Sequence, residues 1–410
     1  MSAFPHKQLR FLFSISSGAT PESGNSAFWD GDINWATPED VSGSSKTLSS
    51  TKRKITEEGF ASCSAKMAPS GTIVLTKRAP IGQLAISEVE LCCNQGCFLL
   101  EPTPDADNEF FYYWLSVQTG YLQVLGRGST FMELSSDEIK AIQAPCIPVT
   151  KQKQISNFLN RETAEVDALI AAKQRLLGLM AEKRRSIVAE AVMRGLNPSA
   201  PLRPSGIDWL GDIPAHWEIE RSRWLFTERD QRSPTGEEEM LTVSHLTGVT
   251  PRSEKDVNMF EAESTAGYKL CFAGDLAINT LWAWMGAMGT ARVDGIVSPA
   301  YNVYTPGSRL LPDYVDALVR IPVFAQEVTR YSKGVWSSRL RLYPEGFFET
   351  WWPVPPLDEQ QQIVENISAE TAKIDRLRIA TESSIALLKE RRAALIAAAV
   401  TGQLEIPEAA

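Results

Sequence analysis

The sequence predicts an α+β chain: two mixed α/β domains separated by a long antiparallel two-helix coiled coil, with a pseudo-two-fold internal repeat. Three observations carry this. One helical pattern occurs twice, 208 residues apart and without a gap, over Pro148–Leu196 and Pro356–Leu404. Each copy follows a long block of short apolar runs and turn residues. The copies also agree residue by residue: Gln152 with Gln360, Ile155 with Ile363, Glu162-Thr163-Ala164 with Glu370-Thr371-Ala372, Asp167 with Asp375, and Ala191-Val192 with Ala399-Val400. About a third of the aligned positions are identical, which marks an internal duplication. The expected segments are a first globular domain at 1–147, a first helical spacer at 148–200, a second domain at 201–355 and a second spacer at 356–410.

In the first block, Thr72-Ile-Val-Leu-Thr76 is β-branched and bounded by Gly71 and Pro80, hence a buried strand. Gln83–Ile86 and Cys97–Leu100 read as further strands, and Phe28–Trp35 as aromatics around a turn at Gly31. Glu109–Leu125 has helical spacing, and Ser136–Ile142 reads as a short capped helix. The second block repeats this more loosely. Arg10-Phe-Leu-Phe13 echoes Arg223-Trp-Leu-Phe226, Gly71-Thr-Ile-Val74 echoes Gly274-Asp-Leu-Ala277, and Arg127-Gly-Ser129 echoes Lys333-Gly-Val335. The offset drifts as loops change length, so the blocks have diverged further than the helices.

Steps of three and four define a seam on each helix. In the first copy it runs Val166, Leu169, Lys173, Leu177, Met180, Arg184, Ile187. In the second it runs Ile374, Leu377, Thr381, Ile385, Leu388, Arg392, Leu395. Polar seam residues (Lys173 with Thr381, Arg184 with Arg392) fall at equivalent heights, where they cost stability and specify register. About 30 residues of such helix make a rod of roughly 45 Å. Asn197–Pro204 is a Pro-rich connector leading away from the first helix.

Length and composition are those of an ordinary globular protein, 410 residues with 43% hydrophobic and 22% charged. No apolar run has the length of a membrane span, and Met1–Phe13 lacks a signal-peptide pattern, so the expected compartment is the cytoplasm, away from any membrane. The six cysteines form no CxxC pair and there are three histidines, which argues against a zinc site or disulfide scaffold. Net charge is −9; residues 151–196 alone are clearly basic, with 9 basic against 5 acidic side chains. Any nucleic-acid affinity must then come from local clusters or from partners. There is no Walker A sequence, GxGxxG or GxSxG. Ser298-Pro-Ala-Tyr301 lacks the acid or amide and the second proline of an adenine-methyltransferase tetrapeptide, and reads as a strand-entry turn. Neither a catalytic site nor a cofactor pocket is expected.

Three stretches together make the chain resemble the DNA-specificity subunits of type I restriction–modification systems. They are Trp209-Leu-Gly-Asp-Ile-Pro-Ala-His-Trp-Glu218, Pro355–Ile363 running into Glu370–Asp375, and Leu388–Arg392 followed by Ala399–Gly402. The first domain departs from the pattern: it begins near Pro5-His6 without a Trp-Leu-Gly opening. The resemblance implies two target-recognition domains, each reading half of a bipartite sequence in double-stranded DNA, with the helices as spacer. It also implies two methyltransferase subunits that methylate adenine and, as an optional addition, motor-nuclease subunits that cleave unmodified DNA. A stand-alone DNA-modifying enzyme and an orphan coiled-coil adaptor are the competing readings.

Base reading needs hydrogen-bonding side chains and guanidinium forks on loops that reach a groove. The richest stretch is Ser332–Arg341, from which Lys333, Gly334, Ser337, Ser338, Arg339 and Arg341 are candidates, with Trp336 at its centre. Its first-domain counterpart is Arg127, Gly128, Ser129 and Thr130. Lys77, Arg78 and Arg292 follow apolar strands and are candidates for phosphate or base contacts. Lys52-Arg-Lys54 is a charge run open to a phosphate role. Trp282 and Trp284 are expected in a core or facing a partner rather than DNA. Lys183-Arg184-Arg185 and Arg391-Arg392 could serve either DNA or a methyltransferase.

Overall fold

A computed structural model describes residues 4–44, 46–126, 133–254, 264–334 and 340–406. The chain forms two compact units. The first comprises Met1–Lys173 with Glu382–Ala410, the second Gln174–Thr381. Each unit therefore holds one globular block, one end of the long helix Val149–Arg194 and one end of the long helix Leu357–Val400.

In the first unit the strands Phe13–Ser17, Cys97–Pro102, Ile73–Thr76, Leu84–Ser87 and Thr47–Leu48 form one sheet in that spatial order. Ile73–Thr76 is wholly buried, as its apolar β-branched run requires. Trp29–Ala36 makes a second sheet with Lys54–Ile55 and Leu91–Cys93. The turn expected at Gly31 is instead part of this strand, whose pairing with Lys54–Ile55 shifts register between Trp29 and Ile33. A Cβ at Gly31 would lie 2.6 Å from the Ile55 carbonyl oxygen, so glycine serves close strand approach there. The helical stretch after Asn108 is two helices, Asn108–Val117 and Thr119–Leu125. Ser136–Ala141 is capped by a reciprocal box between Ser135 and Glu138.

The second unit repeats the central sheet. Phe226–Glu228, Asn302–Pro306, Leu276–Ile278 and Met288–Thr290 stand in the same spatial order as their counterparts. Registers correspond as well: Ile73 sits between Leu100 and Ile86, and Leu276 between Tyr304 and Thr290. The loose sequence echo is thus a duplicated sheet topology.

Within each unit the ends of the two long helices run antiparallel. In the first, Ile155 and Leu159 share a core with Ile396, Ala399 and Val400. In the second, Ala191 and Val192 share one with Ile363. Of the seam residues, Ile385 is 8% exposed, and Val166, Leu177, Met180, Ile187, Ile374, Leu388 and Leu395 are half-buried. Leu169 and Leu377 are corrections, at 46% and 57% exposed. The first seam steps by four from Val166 to the half-buried Ile170 before reaching Lys173. Choosing Leu169 moves the position about 100° round the helix and out of the groove.

Two repeated residues fasten the helices to their blocks. Gln152 donates from Nε2 to the carbonyls of Asp105 (2.9 Å) and Ile147 (2.8 Å) and accepts from the Asp107 N–H at 2.7 Å. Gln360 donates to Arg309 and Pro355 (both 2.9 Å) and accepts from Leu311 N–H at 2.9 Å. Both glutamines are fully buried. The Trp209–Glu218 motif acts locally too. Glu359 Oε2, in the first turn of its helix, is 2.8 Å from His216 Nε2 and accepts from Trp217 Nε1 at 3.0 Å.

Candidate nucleic-acid interface

Each unit presents a loop base seated on the same hairpin. In the first, Leu134 N–H donates to the Lys77 carbonyl at 2.9 Å and Glu133 N–H to Gly126 at 3.1 Å. In the second, Leu342 N–H donates to Thr280 at 3.0 Å, while Lys333 and Arg341 exchange two backbone hydrogen bonds of 2.9 Å. Leu134 and Leu342 are buried at 0% and 1%, each tying a loop's return to the strand end beside it. Glu133 and Arg341 thus occupy corresponding positions, 208 residues apart, with opposite charge. The candidates Arg127, Gly128, Ser129, Thr130, Ser337, Ser338 and Arg339, with Trp336, lie outside the described residues.

Lys77 and Arg78 are brought together, but not as free cations. Lys77 Nζ lies 3.0 Å from Glu133 Oε1 and 3.0 Å from Ser17 Oγ, and packs over the Phe98 ring. Arg78 Nε lies 3.0 Å from Glu133 Oε2. Desolvation works to raise the Glu133 carboxyl, but hydrogen bonds from Lys77 and Arg78 hold it below its ordinary value. In the second unit the corresponding hairpin tip is apolar: Leu281 and Trp282 are 44% and 50% exposed, and the Trp282 and Trp284 rings stack 6.5 Å apart. The core placement considered for Trp282 is therefore wrong, because its loop turns out from the sheet end.

Lys333 and Gly334 are exposed and Arg341 is half-buried, its guanidinium 6.0 Å from the Tyr343 ring centre. In the Lys52–Lys54 run, Lys52 pairs with Glu39 and Arg53 packs 3.7 Å from the Trp29 ring centre. Arg292 is exposed and lines a cavity of about 790 Å³ in the second unit, together with Arg184, Arg185 and Arg320. Sequence spacing could not bring Arg292 to the helix arginines, which lie more than a hundred residues away. Arg320 had no sequence signal, being one cation just past the end of the helix Pro312–Val319. Among the described residues no cluster of His, Cys, Asp and Glu could hold a metal ion. Nor is any helix there long and apolar enough to cross a membrane.

Residues 3–176 match the family model described as the type I restriction modification DNA specificity domain. Over that stretch the chain resembles this DNA-specificity family. A specificity subunit of the type I restriction enzyme MjaIX, from Methanocaldococcus jannaschii, is 34% identical over 157 residues. That alignment covers 38% of this chain and 36% of the relative, so it spans about a third of the relative's length. The fold likeness extends further. A chain from a structural study of complex assembly and conformational transition of the type I R-M system superposes with a TM-score of 0.71 at 17% identity, covering 98% of each chain. The HsdS subunit of Thermoanaerobacter tengcongensis superposes with a TM-score of 0.57 at 16% identity, covering 98% of this chain and 97% of that one. The likeness of fold thus extends over the whole chain, beyond the stretch that the family model matches.

Proposed function

We propose that the chain is the DNA-specificity subunit of a type I restriction–modification complex. In this role it binds double-stranded DNA in the cytoplasm and reads a bipartite target, one half-site per globular block. It performs no chemistry itself. Adenine methylation belongs to two partner methyltransferase subunits, and cleavage to motor-nuclease subunits where these join. The observation that carries the reading is an asymmetry of divergence. Gln152 and Gln360 make the same three-bond bracket, whereas the hairpin ends carry Lys77 and Arg78 in one unit and Thr280 and Leu281 at the corresponding positions in the other. A duplicated frame suits two identical partner subunits, and unlike tips suit two different half-sites.

The test is long-read detection of N6-methyladenine in the source genome, with the gene intact and deleted. Loss of methylation at one bipartite motif with a constant gap is the expected result. An unchanged methylome overturns the proposal. Inserting seven residues before Gly178, matched in the other helix, should alter the gap while leaving both half-sites as they were.

A further inference from the structure

The cavity in the second unit is positive on a chain whose net charge is −9. Arg184, Arg185, Arg292 and Arg320 line it, against Asp313 and Asp316. Several of these charges are already engaged. Arg320 lies 3.6 Å from Asp316 and donates to the Leu246 carbonyl at 2.8 Å. Asp316 also accepts from Thr290 N–H at 3.0 Å. Arg184 faces Asp375 at 4.0 Å. Arg185 and Arg292 are exposed and have no hydrogen-bond or ion-pair partner among the described residues. One comes from the helix and the other from the end of the central sheet.

The repeat separates frame from function here. Arg184 has its counterpart in Arg392, and both meet an aspartate of the other helix. Arg185 corresponds to Ala393. Since Ile73 pairs with Ile86 and Leu276 with Thr290, Arg292 corresponds to Glu88, two residues past the paired position in each hairpin. The two unpaired cations are therefore peculiar to the second unit. A contact with a duplicated protein subunit would call for both copies to be kept. A contact with the DNA beside one half-site would not.

We infer that this cavity receives the sugar-phosphate backbone of double-stranded DNA next to the second half-site, with Arg185 and Arg292 as phosphate contacts. The inference rests on the proposed specificity role. Low-dielectric walls concentrate the field of the arginines in the cavity, and a phosphodiester offers the acceptor oxygens they lack.

The test uses the full chain assembled with its methyltransferase subunits and compares wild type with the Arg185→Gln/Arg292→Gln double variant. Each lost phosphate contact should reduce the slope of log affinity against log salt by about 1. The double variant should thus lose about 2 from the slope and bind roughly tenfold more weakly at moderate salt, with the methylated motif unchanged. The Arg185→Lys/Arg292→Lys chain should retain the slope, because a phosphate contact needs charge more than a guanidinium fork. An unchanged slope in the glutamine variant overturns the inference. So does loss of subunit assembly at an unchanged slope, which would assign the arginines to a protein partner. A changed half-site also overturns it, by making them base readers. If the wild-type complex methylates no bipartite motif, the specificity role itself fails, whatever the slopes show.

Discussion

Arg392 Nη2 donates to Asp167 Oδ2 at 3.0 Å, joining the end of one long helix to the beginning of the other within the first unit. Its repeat equivalent within the second unit is Arg184 with Asp375, where Nε lies 4.0 Å from Oδ2. The arginines recognised as polar seam positions are thus cross-helix partners of the repeated aspartates. Both sites are substantially exposed, so the pair should contribute less than about 1 kcal/mol. A double-mutant cycle of Asp167→Asn and Arg392→Gln, read by urea unfolding, should return a coupling of a few tenths of a kcal/mol. A coupling above about 2 kcal/mol would mean that the pair is buried in solution.

The glutamine brackets should matter far more. Gln360→Met keeps similar bulk but strips three hydrogen bonds from backbone groups at a fully buried site. The expected loss is about 3 kcal/mol. Its neighbour Gln361 is exposed and donates to Glu365, so Gln361→Met should change stability by less than about 0.5 kcal/mol. Equal effects from the two variants would remove the bracket's special role.

The revised seam makes a sharp contrast between Ile385 and Leu377. Ile385 is 8% exposed and Leu377 57%. Ile385→Ala should cost about 2–4 kcal/mol and Leu377→Ala under about 1 kcal/mol in the isolated chain. Reversed costs would restore Leu377 to the seam.

Glu327 is 1% exposed, and desolvation raises its carboxyl above the ordinary value despite the hydrogen bond it accepts from Trp351 N–H. A folded-state value above the unfolded one means that the native state holds the proton more tightly. Its contribution is full below the unfolded value and is lost as pH rises through the folded value. Glu327→Gln keeps an acceptor for Trp351 and removes the titration. The variant should match or exceed wild-type stability at pH 7, and its advantage should shrink toward pH 4. Denaturant midpoints across that range give the comparison. A growing advantage on acidification would reverse the assigned direction.

The duplication, the two long helices and the strands around Ile73 and Cys97 were legible in the residues alone. Each rests on a local property: an ungapped identity, a period of three and four, or a β-branched run between turn residues. The sequence could also exclude the common catalytic motifs. It could not say that Leu169 and Leu377 stand exposed, because how far each side chain is covered is decided by what packs beside it. Nor could it show that Glu133 pairs with both Lys77 and Arg78, or that Arg185 meets Arg292 at one cavity. Those relationships join residues tens to more than a hundred positions apart. Charge state and access depend on distances through space, so only the tertiary structure decided which cations remain free.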